Sequence, residues 1–201
     1  MEEIAPGIWH WTSEHPRWGI VVHSYFLPEE RVALDPLAGD EVLDRLQELG
    51  PPEHVLLTNR HHYRSSGVLA ERFGATVHCV REGLHEFTHG EQVEPFDAGD
   101  TLPGGIVAYA VGAICPDETA LHIPARGALA LADGAVRAEP DGRLVFVPDR
   151  FMDAPEETKR GLREAYARLA DEIAFEHLLL AHGEPFVGDG REALRSFAAG
   201  G

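Results

Sequence analysis

Between the apolar run Val55-Leu56-Leu57 and Gly67 the chain sets Arg60, His61, His62, Tyr63 and Arg64 in a row. Two guanidinium forks thus flank two imidazoles and a phenol. Guanidinium groups grip carboxylates and phosphates bidentately, and a basic spot on an acidic protein is conspicuous to small anions. A site for a small anionic molecule on Arg60, His62, Tyr63 and Arg64 is therefore one expectation. The competing one is that Arg64 is used internally, paired with Asp133 or Glu184. His182 follows the apolar run Leu178-Leu179-Leu180-Ala181, and Asp133 follows Leu129-Ala130-Leu131-Ala132. Asp133 precedes Gly134, and Asp-Gly between apolar runs is a strong hairpin signal that justifies the Asp without any ligand. Turn and site are both open for it. His10, His15, His23, His54, His78, His85, His89, His122 and His177 show no site spacing and are expected as surface or satisfied core groups. The sequence carries no Gly-rich nucleotide loop, nucleophile elbow or Cys-His pair.

The elements that position these residues are readable in outline. Short β-rich segments fill the first 35 residues, with only partial alternation from Ile20 to Leu27, as for strands covered on both faces. A helix capped by Asp40 follows, with Val42, Leu43, Leu46 and Leu49 as its apolar stripe and Gly50-Pro51-Pro52 as its stop. Strand 55–58, helix 66–73 and strand 75–80 make a β-α-β unit, with the His61 loop at the carboxyl end of its first strand, where open α/β sheets place ligands. Short strands return from Asp100 to Val147, punctuated by Pro103-Gly104-Gly105, Asp133-Gly134 and Asp141-Gly142. A long helix with Asp153 as cap and Leu162, Ala165, Leu169 and Ile173 on one face leads into strand 175–180, and a last helix runs from about Asp189 to Phe197.

That order, with its motifs, resembles the metallo-β-lactamase superfamily along nearly the whole chain. The openings Ile4-Ala5-Pro6-Gly7-Ile8-Trp9, Ser24-Tyr25-Phe26-Leu27 and Val32-Ala33-Leu34-Asp35-Pro36 are similar to its first strands. Thr58-Asn59-Arg60-His61-His62-Tyr63-Arg64-Ser65-Ser66-Gly67 stands where the family writes T-H-x-H-x-D-H-x-G-G, and Ala181-His182-Gly183 stands at its closing G-H-G loop. The resemblance implies a four-layered αββα sandwich of mixed α/β class. It also implies a degenerate metal motif: Asn59, Tyr63, Arg64 and Ala113 stand where ligands are expected, while His61, Asp133 and His182 survive. Two imidazoles and one carboxylate can hold a single divalent ion with open positions, and His62 is a possible fourth donor. The implied cofactor is thus none or one divalent ion (zinc, iron or manganese), and a full two-zinc complement is not expected. Two functions follow: a member that has lost the dinuclear site and serves as a small-anion-binding or non-catalytic module, or a mononuclear hydrolase on His61, Asp133 and His182.

With 201 residues, a single domain across 1–201 is expected, able to bury a large core. Seventeen basic against 34 acidic side chains give a formal charge of −17, which argues against nucleic acid and anionic membranes as partners. Met1-Glu2-Glu3 has no basic start, and no apolar stretch is long enough to span a bilayer, so a cytoplasmic protein is expected. Cys79 and Cys115 make no C-x-x-C pair and are expected as free thiols. Trp9, Trp11 and Trp18 are expected as core or rim. Oligomeric state is not legible.

Overall fold

The computed structural model describes residues 1–139 and 142–200. The first sheet has seven strands in chain order: β1 (Glu2–Ala5), β2 (Ile8–Glu14), β3 (Val21–Leu27), β4 (Val32–Leu34), β5 (His54–Leu56), β6 (Thr76–Val80) and β7 (Val93–Phe96). β1 to β4 pair antiparallel, and β4 to β7 run parallel. The parallel half needs crossovers, and α1 (Asp40–Leu49) and α2 (Ser66–Phe73) supply two of them. The second sheet takes β8 (Thr101–Leu102), β9 (Ile106–Ala110), β10 (Thr119–Ile123), β11 (Ala128–Leu131) and β14 (His177–Leu180), in the order β14-β11-β10-β9-β8. β12 (Ala135–Arg137) and β13 (Leu144–Phe146) form a separate ribbon, and α3 (Pro155–Glu172) and α4 (Gly190–Ala198) complete the chain.

Strand alternation sorts the core into two layers. Ala128, Ala130 and Leu179 share one face of the second sheet with Leu121 and belong to one apolar cluster with Phe26, Leu34 and Val55 of the first; Leu43 and Leu46 of α1 and Leu69 of α2 pack in the same cluster. The intervening residues Leu129, Leu131, Leu178 and Leu180 face the other way, against Leu162, Tyr166 and Leu169 of α3 and Leu194 and Phe197 of α4. The result is the expected αββα sandwich. No helix among the described residues is long and apolar enough to cross a membrane.

Three local expectations change. α1 is preceded by Gly39 with no side-chain cap, so Asp40 is its first residue and acts on the helix dipole instead. Ala154, not Asp153, precedes α3, with Pro155 in its first turn. Asp133-Gly134 is no hairpin turn. It connects β11 to β12, which belong to different sheets, so the Asp marks a corner where the chain leaves the second sheet. The Pro103-Gly104-Gly105 turn does join paired strands, β8 and β9. Asp141, of the Asp141-Gly142 turn, lies outside the described residues. Trp11 is buried and donates to the Leu37 carbonyl, Trp9 is half-buried and Trp18 is exposed. Both cysteines are free.

One pair inside the sheet makes stability sensitive to acid. His54 Nδ1 and His78 Nε2 lie 3.1 Å apart, and burial, then the neighbouring imidazole, lowers His78 to about 4. An unfolded His takes its proton near 6.5. From about pH 6.5 down to about 4 the unfolded chain therefore binds a proton that the folded one refuses, so stability present above that window is lost as pH falls through it. His78→Gln should remove about 1–2 kcal/mol of the loss between about pH 7.5 and about pH 5, measured by urea unfolding. Equal pH dependence in parent and variant would refute this.

Candidate functional site

The register of parallel strands brings the site together. Leu131 at the end of β11 pairs with Leu180 at the end of β14, so Asp133 and His182, two residues beyond each, emerge side by side. In the first sheet Leu34 pairs with Leu56, which sets Asp35 beside the Leu57-Thr58 segment. The backbone N–H of Thr119 donates to the Thr58 carbonyl at 2.9 Å and joins the edges of the two sheets. Four carboxyl ends thus meet at one rim.

The chain from Asn59 does not continue extended. Residues Arg60–His62 form a 3-10 turn, because Asn59 Oδ1 accepts the His61 N–H at 2.9 Å and the Asn59 carbonyl accepts the His62 N–H at 3.2 Å. A 3-10 turn advances the side chain about 120° per residue. His62 is therefore the imidazole carried into the rim, and His61 is left exposed outside the converging set, although the charge of Asp133 still reaches it. This corrects the sequence reading, which placed His61 there and His62 as an extra donor. The second Asn59 function fixes the turn to the opposite sheet: its Nδ2 donates to Asp133 Oδ2 at 2.8 Å.

At the centre, His62 Nε2 lies 3.1 Å and His182 Nε2 3.0 Å from the same oxygen, Asp133 Oδ1. His62 Nδ1 is 3.0 Å from Asp35 Oδ2, which also accepts the Thr58 hydroxyl at 2.6 Å, while Asp35 Oδ1 accepts the Thr58 N–H at 2.9 Å. His62, Asp133 and His182 can each offer one ligand atom, all mutually within 4.8 Å. His62 and Asp35 keep 4% and 5% of their side chains exposed, against 21% for His182 and 24% for Asp133, so the group opens to solvent on the Asp133–His182 side.

The electrostatics follow from that bracket. Burial opposes charge on His62, but Asp133 and Asp35 outweigh it and hold the ring at about 9, so both nitrogens donate at neutral pH. Burial likewise opposes the Asp133 carboxylate, and His62 and His182 pull it well below the usual carboxylate range. Asp35 is lowered for the same reason, burial being overcome chiefly by His62 and Arg64. Glu118, buried nearby, accepts the Gly134 N–H at 2.8 Å; burial, then the Asp133 charge, raises it to about 8, so it adds no third negative charge at neutral pH.

The basic cluster is committed elsewhere. Arg60 pairs with the buried Asp117 and lies 3.9 Å from Glu86. The Tyr63 ring packs tilted against Phe87, with centroids 5.5 Å apart. Arg64 meets neither Asp133 nor Glu184 directly; its Nη1 donates to the carbonyls of His23 at 3.0 Å and Asp35 at 2.7 Å. Arg64 and Asp35 both hold positive φ, 41° and 45°, a strained backbone for residues with a Cβ and one that concentrates at functional sites. Ala113 has no donor atom and packs half-buried on the α3 side. Sequence reasoning missed Asp35 and Asn59 as supports. The Asp-Pro at the end of β4 was the available signal for Asp35; nothing local signalled Asn59.

Comparison with known proteins agrees with this fold. Residues 4–200 match the family model of the metallo-β-lactamase superfamily. No curated protein matches at a significant level. Among solved structures, a metallo-β-lactamase family protein from Thermus thermophilus is similar with a TM-score of 0.68 at 18% identity, over 98% of this chain and 80% of that one. The metallo-β-lactamase FIM-1 from Pseudomonas aeruginosa, in a mono-zinc form, gives 0.69 at 13%, over 98% and 93%. A metallo-β-lactamase from Pontibacter korlensis gives 0.70 at 16%, over 100% and 98%. At such identities the likeness establishes the fold, and the family match over nearly the whole length establishes the lineage: this chain belongs to the metallo-β-lactamase superfamily.

Proposed function

We propose that the protein holds one divalent metal ion on His62, Asp133 and His182 and hydrolyses a small molecule that reaches this rim. The observation that carries the reading is the shared oxygen: two imidazole Nε2 atoms converge on Asp133 Oδ1 while Asp35 holds the far nitrogen of His62. A carboxylate behind a histidine is how metal sites orient a ligand ring and raise its basicity. Asn59 does the same for Asp133 by fixing Oδ2 and leaving Oδ1 toward both rings.

A two-zinc set does not fit. It would need donors that Asn59, Tyr63, Arg64 and Ala113 do not supply, and Arg64 brings a buried guanidinium close to Asp35 and Asp133. One ion does fit, since two imidazoles and a carboxylate leave positions open. Bound there, a divalent ion supplies Lewis-acid polarisation and lowers the pKa of water. FIM-1, solved in a mono-zinc form, shows that a structure of this fold can carry a single zinc. The commitment of Arg60 and Arg64 to internal partners favours this reading over capture of a small anion.

A non-catalytic reading has one observation in its favour: protonated His62 and Arg64 already balance Asp35 and Asp133. Metal analysis decides between them. Protein purified without chelator and dialysed against zinc, iron or manganese should retain about one ion at this place, lost in Asp133→Asn, and chromogenic ester, thioester or lactam hydrolysis should stop on chelation and return on reloading. No difference in uptake between parent and Asp133→Asn would leave the non-catalytic network as the function of these residues.

A further inference from the structure

A second cluster stands beside the first on elements the family motif does not use. His10 on β2 and His23 on β3 are diagonal neighbours on one face of an antiparallel pair, since His10 pairs with Tyr25 and Thr12 with His23. Their rings stack at 5.1 Å and 15°, with His10 Nε2 2.9 Å from His23 Nδ1, and only 4% and 3% of these residues is exposed. Glu184, exposed in the loop after β14, brings its carboxylate to them: one ligand atom from each of the three lies within 4.8 Å of the others. We propose that His10, His23 and Glu184 form a second, separate site for a divalent transition-metal ion of the zinc, nickel or copper class.

The chemistry fits borderline metals, because the donors are two imidazole nitrogens and one carboxylate oxygen. Burial, then the neighbouring ring, lowers His23 to about 4, and burial lowers His10, so both rings are neutral and keep a lone pair at neutral pH. In the ring pair one nitrogen carries the shared proton. On metal entry that ring moves its proton to its other nitrogen, so both facing nitrogens bind and no net proton is released. Zinc at roughly 2.0–2.1 Å from each nitrogen needs them about 3.3 Å apart, so the rings part by a few tenths of an ångström. The site also has a mechanical consequence. The His23 N–H donates to the Ala181 carbonyl at 3.0 Å, and an ion on Glu184 would add a second tie between the β2–β3 hairpin and the loop that carries His182.

The test uses the full chain, stripped with chelator and titrated with zinc alone. Asp133→Asn, which removes the His62–Asp133–His182 place, should still take up about one ion, and adding His23→Gln should abolish that uptake. Glu184→Gln alters an exposed side chain and should fold; it should weaken the remaining affinity by at least roughly tenfold. With less than one equivalent of zinc, the ring signals of His10 and His23 should shift in NMR spectra of Asp133→Asn. Uptake lost in Asp133→Asn but unchanged by His23→Gln and Glu184→Gln would overturn this site and leave the first standing. The opposite pattern would support this one and overturn the first. If His23→Gln fails to fold, Glu184→Gln and the ring signals decide.

Discussion

Arg64→Ala is expected to destabilise the protein by about 3–5 kcal/mol, the cost of breaking a buried charge arrangement from one side. Its Nη1 satisfies the carbonyls of His23 and Asp35, at 3.0 and 2.7 Å, and its charge acts on the carboxylates of Asp35 and Asp133. Truncation leaves both carbonyls without that donor and leaves His62 as the principal cation facing two carboxylates. For a chain of this size the loss corresponds to a fall in Tm of roughly 10 °C. Arg64→Lys keeps the charge but not the planar fork, so it should recover only part of the loss. Alanine keeps the same positive-φ strain, which isolates the guanidinium as the cause. A change in unfolding free energy below about 1 kcal/mol would show that Arg64 behaves as an ordinary surface residue.

Asp35→Asn should have two separable effects. The Asp35 carboxylate accepts three hydrogen bonds, from the Thr58 N–H, the Thr58 hydroxyl and His62 Nδ1. An amide replaces one acceptor oxygen with an NH2 that confronts those donors and removes half of the negative bracket around His62. In chelated protein the variant should lose about 3 kcal/mol or more in urea unfolding. In loaded protein its metal affinity should fall about 10–100-fold, because the ring is no longer oriented from behind. The second effect discriminates: unchanged zinc affinity alongside a large stability loss would make the Asp35–His62–Asp133 chain a structural network and defeat the one-ion proposal.

The sequence by itself determined the architecture and the neighbourhood of the site. The apolar runs Val55-Leu56-Leu57, Leu129-Ala130-Leu131 and Leu178-Leu179-Leu180 are long enough to be buried strands, and the stripe of α1 and the face of α3 say which sides they cover. Residues that follow such runs must emerge at a sheet edge, so Asp133 and His182 were legible as candidates, and so was a histidine from the Arg60–Arg64 segment. Which histidine was not. The place in the family motif selects His61, and the 3-10 turn selects His62; the difference of one residue rests on the Asn59 side chain, whose partners are His61 in the same turn and Asp133 across the sandwich, 74 positions away. The fate of Arg64 was equally out of reach, because a guanidinium satisfied by the carbonyls of His23 and Asp35 leaves no pattern in the side chains. Asp133-Gly134 reads locally as a hairpin, and only strand pairing shows that β11 and β12 part company there. His10 and His23 lie 13 residues apart with no motif between them, and they become neighbours through the register of β2 on β3. Local chemistry fixes which segments are strands and helices; sheet register and side-chain bonds between distant segments fix which polar groups meet.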